Sequence, residues 1–216
     1  MICLYVMSLA DFPTQSVLPL LSPQRQQRIA ACRRPQDAAA LAGAGWLLRQ
    51  ALQQWGVEPH RQILTQNPWG KPQLAETALP QFSLSHGGGW AVCAVSDTPV
   101  GVDVEAPRCT MAVAKRWFHE NEIRAAEALP QAQQADALLR IWTAKEAFLK
   151  ALGRGLTLPL DSFVVRLDDD GATLLQSYSD EPWQLHEYTL DGARICLCTT
   201  ESCPEPETVT IANCAP

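Results

Sequence analysis

The chain has 216 residues, of which 47% are hydrophobic and 19% charged, a composition typical of a folded globular protein with one large or two small domains. The formal net charge of −6 argues against general nucleic-acid binding, which requires a basic face. The apolar opening Ile2–Ser8 is too short to span a membrane and lacks the features of a signal peptide. We therefore expect a cytoplasmic protein with no membrane segment.

The first predicted elements are a core strand over Ile2–Ser8 and a helix over Pro23–Cys32, begun by Ser22 as N-cap. A second helix is expected from about residue 35 to 55. The first helix carries Arg25 and Arg28. These arginines are either a solvated face or a clamp for phosphate, and the helix alone leaves both interpretations open.

Two loops follow that could contact a ligand. Lys71 stands between a glycine and a proline in a turn-rich segment, which is a weak signal by itself. Ser85 and His86 end a predicted strand just before three consecutive glycines. Because glycine lets a ligand approach the backbone closely, the position favours binding over a purely structural histidine.

The segment Val100–Glu105 alternates strictly and predicts a strand with Val102 and Val104 on one face and Asp103 and Glu105 on the other. Two neighbouring carboxylates repel each other, and a cation between them relieves the repulsion. Hard oxygen ligands favour Mg²⁺. The alternative is a pair of exposed acids on an edge strand.

A long helix is predicted up to Leu152, closed by glycine. On a helical wheel, Lys145 falls within the apolar stripe, Glu146 lies at its edge, and Lys150 lies further round the same side. A lysine in an apolar stripe costs stability unless a charged group meets it. We therefore expect an anionic ligand and a metal there, and expect Lys145→Met to stabilise the free protein.

The chain divides into two halves of similar composition, 1–97 and 98–216, each mixing helices with antiparallel strands, and the tail after about residue 200 is expected to be loosely held. Cys196 and Cys198 alternate within a predicted strand, as buried free thiols do. The fold class expected is α+β.

Together, Asp103, Glu105 and Glu146 would supply three oxygen ligands for Mg²⁺, surrounded by lysines, arginines and His86. A metal on phosphates among cations is the arrangement used for phosphoryl transfer. The sequence has no phosphate-binding GxxxxGK[ST] motif, so ordinary ATP chemistry is not indicated.

At this point the sequence resembles the 4′-phosphopantetheinyl transferases, specifically the Sfp-type class that activates peptide and polyketide synthetases. The matching segments are SPQRQQRIAACRRPQD (22–37), GKP (70–72), FSLSH (82–86), GVDVE (101–105), WTAKEAFLKALGRGL (142–156) and LPLDSFVVRL (158–167). GVDVE and WTAKEAFLK are jointly specific, and the other segments are weak when taken alone.

The resemblance implies a monomer built of two α+β halves related by a pseudo-two-fold axis, with coenzyme A in the cleft between them. Mg²⁺ would be held against the pyrophosphate. The residues implied at the metal are Asp103, Glu105 and Glu146. Those implied at coenzyme A are Arg25, Arg28, Lys71, Ser85, His86, Lys145 and Lys150.

The implied reaction is attack by a carrier-protein serine hydroxyl on the β-phosphate of coenzyme A, releasing adenosine 3′,5′-bisphosphate. Glu146 and Lys150 would be catalytic, with Glu146 as the base, directly or through a water on the metal. Glu122 is a weaker candidate for the site. The partners implied are apo acyl or peptidyl carrier proteins, with neither nucleic acid nor membrane.

Two other functions remain open on the sequence. A metal-dependent nuclease would share the acidic pair and the Glu-x-x-x-Lys spacing, but the net charge of −6 speaks against it. A non-catalytic coenzyme A-binding module would bind the ligand without turnover.

Overall fold

A computed structural model of the chain describes residues 1–107, 109–201 and 206–208, with the backbone alone described at 156 and 206–208. Mixed helices and antiparallel strands confirm the α+β class. The described helices are α1 (Thr14–Val17), α2 (Pro23–Ala30), α3 (Pro35–Gln54), α4 (Met111–Trp117), α5 (Glu120–Ala128) and α6 (Gln131–Leu152). The described strands are β1 (Ile2–Ser8), β2 (Leu64–Gln66), β3 (Pro72–Leu74), β4 (Gln81–Gly87), β5 (Trp90–Ser96), β6 (Val100–Glu105), β7 (Val164–Asp168), β8 (Gly171–Leu175), β9 (Gln184–Leu190), β10 (Ala193–Thr199) and β11 (Pro206–Thr208).

Two main sheets organise these elements. One has the strand order β11-β1-β5-β4 and the other has the order β6-β10-β9, while β2-β3 and β7-β8 form separate pairs. Helix α3 packs its apolar face on the first sheet, and α6 packs on the second. The edge strands β4 and β6, one from each sheet, lie side by side where the two sheets meet.

A third apolar cluster joins the two sheets, and it includes Val6 and Val92 from the first with Val102, Val104 and Ile195 from the second. The division at 97/98 and the pseudo-two-fold axis stay predictions. The loosely held tail also stays a prediction, although β11 within it pairs in parallel with β1. The chain's C-terminal part therefore contributes a strand to the N-terminal sheet.

Most local predictions are confirmed where the chain is described. The Ser22 hydroxyl accepts from the backbone N–H of Arg25 at 3.3 Å, as an N-cap should. Gly153 ends α6 with a φ of 69°, in the left-handed region. The sequence did not predict that α5 is a separate helix, which a capping box between His119 and Glu122 begins.

The cysteines fit the expectation of thiols that pack in the core. Cys93, Cys196 and Cys198 are buried and free, while Cys203 and Cys214 lie outside the described residues. Burial raises the pKa of all three buried thiols, so they are poor nucleophiles. Within the described part of the chain, no helix has the length and apolar character to cross a membrane.

Strand β6 meets α6 unusually closely at Gly101. A Cβ atom on this residue would lie 1.9 Å from the carbonyl oxygen of Ala147 and 2.3 Å from the nitrogen of Ala151. Gly101 lies on the same strand face as Asp103 and Glu105, while Val102 and Val104 face the central apolar cluster. The alternation predicted from the sequence is thus confirmed, but the acidic face is covered by a helix rather than exposed.

Lys145 lies in the core with a buried carboxylate partner. Its side chain is 0% exposed, and its ammonium is 2.8 Å from Glu122 Oε1. It also donates to the carbonyl oxygens of Leu160 and Phe163, each at 2.7 Å. These three acceptors use all three N–H groups of the ammonium.

Glu122 is equally well held. Its Oε1 accepts from the backbone N–H of Val165 at 2.7 Å, and its Oε2 accepts from that of His119 at 2.9 Å. Burial lowers the pKa of Lys145 and raises the pKa of Glu122, and their mutual attraction opposes both shifts. The pair therefore joins α5, α6 and β7 inside the core.

Two expectations about Lys145 are therefore wrong. The residue does not face a ligand phosphate, because its ammonium is enclosed and fully hydrogen-bonded. The charged group that the apolar stripe requires is Glu122, which the sequence had suggested only as a weak candidate for the site. Removing the ammonium would also leave Glu122 buried without its counter-charge, which reverses the expected effect of Lys145→Met.

We predict that Lys145→Met lowers the free energy of unfolding by about 3–5 kcal/mol, because it leaves a buried carboxylate unpaired. Urea unfolding measures the change. Lys115→Met is the matched control, since Lys115 pairs with Glu127 at an exposed position, and it should cost no more than about 1 kcal/mol. The addition of Glu122→Gln to Lys145→Met should restore part of the loss, and equal stability of wild type and Lys145→Met would contradict this account.

We also predict that Gly101→Ala destabilises the protein by about 2–3 kcal/mol, because the new methyl group meets backbone atoms of α6 that cannot move aside. Gly43→Ala is the control. A Cβ atom at Gly43 would meet the end of the flexible Leu9 side chain, and alanine favours the helix. Thermal unfolding should separate the two variants, and similar melting temperatures would count against a rigid contact.

Candidate functional site

The Asp103 carboxylate is the centre of the candidate site. It is 4% exposed, and its Oδ1 accepts from the Lys150 ammonium and from the Ser85 hydroxyl, both at 2.7 Å. No described donor reaches Oδ2, which is also buried. One oxygen of this carboxylate therefore has its hydrogen bonds satisfied while the other has the acceptor capacity for a further ligand.

Two more carboxylates belong to the same region. Glu105 lies on the same strand face as Asp103, and its Oε1 accepts from the indole N–H of Trp142 at 3.3 Å. Burial and then the negative charges of Asp103 and Glu105 raise the pKa of Glu146, while Lys150 lowers it. The structure thus brings acidic groups of β6 and α6 close enough for their charges to interact.

Lys150 links the carboxylate to the strand that carries it. Besides Asp103, its ammonium donates to the carbonyl oxygen of Val102 at 3.1 Å, and the side chain is 28% exposed. The side chain is therefore only partly enclosed. Unlike Lys145, it is not enclosed in the core, and its predicted contact with phosphate stays a prediction.

Whether these residues suit a divalent cation can be tested on their donors. Asp103, Glu105 and Glu146 offer hard oxygen atoms, and Asp103 Oδ2 is a buried acceptor without a hydrogen-bond donor. However, in the described residues no three His, Cys, Asp or Glu side chains are grouped closely enough to hold a metal. The chemistry of the donor set fits Mg²⁺, while the side chains as they stand are not gathered around one point.

A cavity of about 460 Å³ holds three of the predicted basic residues. Arg25, Arg28 and His86 line it together. Arg25 also donates to the carbonyl oxygen of Leu41 at 3.1 Å, and it packs where a Cβ atom on Gly45 would lie 2.4 Å from its Cδ. Its position on a cavity wall, packed against α3, is not that of a side chain on a solvated helix face.

Basic side chains form part of the wall of this cavity. Burial lowers the pKa of His86, and the charges of Lys150 and Arg25 lower it further. Burial and the neighbouring Arg28 also lower the pKa of Arg25. Burial is the largest cause of each shift, and Asp103 and Asp37 oppose it at His86. A phosphate bound in this cavity would favour the charged form of both side chains.

Lys71 is not brought to this cavity. Its ammonium donates to the carbonyl oxygen of Val100 at 3.0 Å, and the residue lines a different cavity of about 520 Å³. Burial lowers the pKa of Lys71 to about 8. Gly70 and Pro72, on either side of it, line the cavity of Arg25, Arg28 and His86, but Lys71 itself turns away from that cavity to bond Val100.

Several residues that shape the site were missed or given other roles from the sequence. Gly101 permits the approach of α6, Trp142 contacts Glu105, and Asn67 donates to the carbonyl oxygen of Gly153 at 2.7 Å. The one available signal was the glycine at the start of GVDVE, since glycine within a strand often marks a close backbone approach. The side-chain contacts of Trp142 and Asn67 have no local sequence signature.

Comparisons with known proteins agree with the motifs. A sequence model of the 4′-phosphopantetheinyl transferase superfamily matches residues 99–199. A 4′-phosphopantetheinyl transferase of Bacillus subtilis is 33% identical over 178 residues, which are 81% of this chain and 80% of that protein. The 4′-phosphopantetheinyl transferase Sfp of Bacillus subtilis strain 168 is 28% identical over 210 residues, which are 95% of this chain and 93% of that protein.

A relative from another bacterial group shows the same breadth of match. The 4′-phosphopantetheinyl transferase HetI of Nostoc is 32% identical over 193 residues, covering 84% of this chain and 80% of that protein. These likenesses extend well beyond the site motifs into both sheets. The chain therefore belongs to the 4′-phosphopantetheinyl transferase superfamily of enzymes, within its Sfp-type class.

Proposed function

We propose that this enzyme transfers the 4′-phosphopantetheine group of coenzyme A to a serine hydroxyl of an apo acyl or peptidyl carrier protein, with Mg²⁺, as a cytoplasmic monomer. One observation carries the proposal. The Lys150–Asp103 pair, 2.7 Å apart, is linked through the adjacent Ser85 and His86 to a cavity with two arginines on its wall. A carboxylate suited to a metal, next to a cavity lined by cations, matches coenzyme A, which carries a diphosphate and a separate 3′-phosphate.

The cavity residues suit the 3′-phosphate end of coenzyme A. Arg25 and Arg28 supply permanent positive charge, and guanidinium groups match phosphate geometry. His86 lies beside them and can donate to an anion once protonated. On this assignment Ser85 and Lys150 lie towards the diphosphate.

Asp103, Glu105 and Glu146 would hold Mg²⁺. When bound, the ion would neutralise part of the diphosphate charge and polarise the phosphorus–oxygen bond that breaks. Asp103 presents a buried oxygen that no donor of the described residues reaches, and burial together with the charges of Asp103 and Glu105 raises the pKa of Glu146. Both features favour a cation at this position.

The chain's own groups would manage the proton and the leaving group. The serine oxygen of the carrier attacks the β-phosphorus, the bond from that phosphorus to the bridging oxygen breaks, and adenosine 3′,5′-bisphosphate leaves with the electron pair. Glu146 accepts the serine proton. Lys150 stabilises the negative charge that develops on the phosphate oxygens.

We predict that Asp103→Asn and Glu146→Gln each reduce transfer at least about 100-fold, since each removes a metal ligand or the base. Intact mass of an apo carrier domain, after incubation with coenzyme A and Mg²⁺, shows the added phosphopantetheine group. Asp169→Asn is the control, because Asp169 lies in the exposed turn between β7 and β8, and it should leave the rate unchanged. Wild-type rates in either site variant would refute the proposed roles.

The same assay tests the non-catalytic alternative and the requirement for Mg²⁺. Binding of coenzyme A by the wild type without any mass gain on a panel of apo carriers would indicate a non-catalytic binding module. Chelation of Mg²⁺ should abolish transfer, and addition of Mg²⁺ should restore it. Transfer that persists in excess chelator would remove the metal from the proposal.

A further prediction concerns pH and His86. Since burial lowers the pKa of His86, the unfolded chain binds this proton more readily than the folded one. Folding stability should therefore fall as pH drops through the ordinary histidine range near 6.5. Urea unfolding should show a larger loss for wild type than for His86→Gln between about pH 8 and pH 5.5.

Adenosine 3′,5′-bisphosphate should reduce this difference, because a phosphate beside His86 stabilises its charged form. The control is Arg28→Gln, which should weaken the ligand's effect while His86 remains titratable. Parallel pH profiles of wild type and His86→Gln, with and without the ligand, would contradict this placement of the phosphate.

A further inference from the structure

The loop Asn67–Lys71 is held rigidly by its own hydrogen bonds. Asn67 Oδ1 accepts from the backbone N–H groups of Trp69 and Lys71 at 3.0 and 2.9 Å. The backbone N–H of Asn67 donates to the carbonyl oxygen of Lys71 at 2.9 Å. An asparagine that satisfies its own turn in this way orders the loop independently of any ligand.

Both ends of this loop contact the elements that carry the site. Asn67 Nδ2 donates to the carbonyl oxygen of Gly153 at 2.7 Å, at the end of α6. Lys71 Nζ donates to the carbonyl oxygen of Val100 at 3.0 Å, at the start of β6. Thus one rigid loop contacts the helix of Glu146 and Lys150 and also the strand of Asp103 and Glu105.

The contact with Gly153 is tight. A Cβ atom at Gly153 would lie 3.0 Å from Asn67 Nδ2 and 3.2 Å from Lys71 Cδ, and the residue has a φ of +69°. The end of α6 is therefore shaped to receive the loop. Small displacements of either partner would be transmitted to the other, because close-packed backbone does not compress.

The contact with β6 satisfies a backbone group at the edge of its sheet. In its sheet β6 pairs only with β10 among the described strands, so its other edge presents free backbone groups. On that edge the Val100 carbonyl accepts from Lys71, and the Val102 carbonyl accepts from Lys150. The N–H of Val102 donates to the Ser83 hydroxyl at 3.0 Å. Side chains thus take the place of a backbone ladder, which β6 does not form with the adjacent β4.

We propose that Asn67 and Lys71 are positioning residues, which hold β6 and α6 in the relative placement that the reaction needs, and that Lys71 acts through β6 and not on the phosphates of coenzyme A. Three observations support this assignment: the bond to Val100, the paired bond from Asn67 to α6, and the absence of Lys71 from the walls of the cavity that Arg25, Arg28 and His86 line. The effect on turnover rests on the proposed function.

The test uses Lys71→Met in the full chain, with three readouts. We expect kcat to fall about tenfold or more, since small misplacements of reacting groups are costly. The Kd for adenosine 3′,5′-bisphosphate in magnesium-free buffer should stay within about twofold of wild type, because no ground-state phosphate contact is lost. Hydrogen exchange, followed by mass spectrometry over residues 100–105, should become faster.

Matched variants separate positioning from other roles. Lys115→Met removes an exposed lysine on α4 and should not change exchange over residues 100–105. Arg28→Gln should weaken bisphosphate binding while leaving that exchange rate unchanged. Lys71→Arg keeps a cation within reach of the Val100 carbonyl and should restore part of kcat. If Lys71→Met does not fold, Asn67→Ala can be used in the same measurements. This variant loses the bond from Asn67 to Gly153 but keeps the Lys71 side chain.

The proposal is overturned if Lys71→Met raises the Kd for the bisphosphate about tenfold while exchange over 100–105 is unchanged, since that is the behaviour of a phosphate ligand. It is also overturned if melting temperature falls with no change in kcat, which marks a purely structural residue. A wild type that transfers nothing would refute the proposed function instead. In that event the exchange and bisphosphate measurements still decide the role of Lys71.

Discussion

The close approach of α6 to β6 at Gly101 is the constraint on which the site depends. A side chain at this position would overlap backbone atoms of α6. Because the helix lies directly on the strand, Lys150 reaches both Asp103 and the Val102 carbonyl. The same approach buries the acidic face of β6 and places Glu146 in the field of its carboxylates. A longer separation would admit water and weaken each of these interactions.

Two consecutive residues of helix α6 have different roles, one in the core and one in the candidate site. Lys145 is enclosed and ion-paired with Glu122, and Glu146, next in the chain, belongs to the carboxylate group of the site. The ion pair holds α6 against α5 and β7 through the backbone groups of Leu160, Phe163 and Val165. This directional bonding fixes the rotation of the helix about its axis more sharply than apolar packing would, so it also fixes where Glu146 points.

The site concentrates charge where solvent is scarce. Asp103 is nearly buried, burial and neighbouring carboxylates raise the pKa of Glu146, and burial lowers the pKa of Lys71. Such groups cost folding stability unless a partner of opposite charge is present. On the proposed function, a phosphate-rich substrate bound with a divalent cation would supply those partners.

The sequence by itself determined the α+β class, the main helices and strands, and the two faces of β6, because apolar periodicity and capping residues act over a few neighbouring positions. It also identified the family through GVDVE and WTAKEAFLK. Only the tertiary structure decided the partner of Lys145, since a helical wheel shows which residue is buried but not the carboxylate that a different helix brings to it. Likewise it turned the Lys71 side chain away from the cavity that Arg25, Arg28 and His86 line, because the partner of that side chain depends on how whole elements pack. Contacts between residues far apart in the chain have no local sequence pattern, and these contacts decide which charges face the cleft.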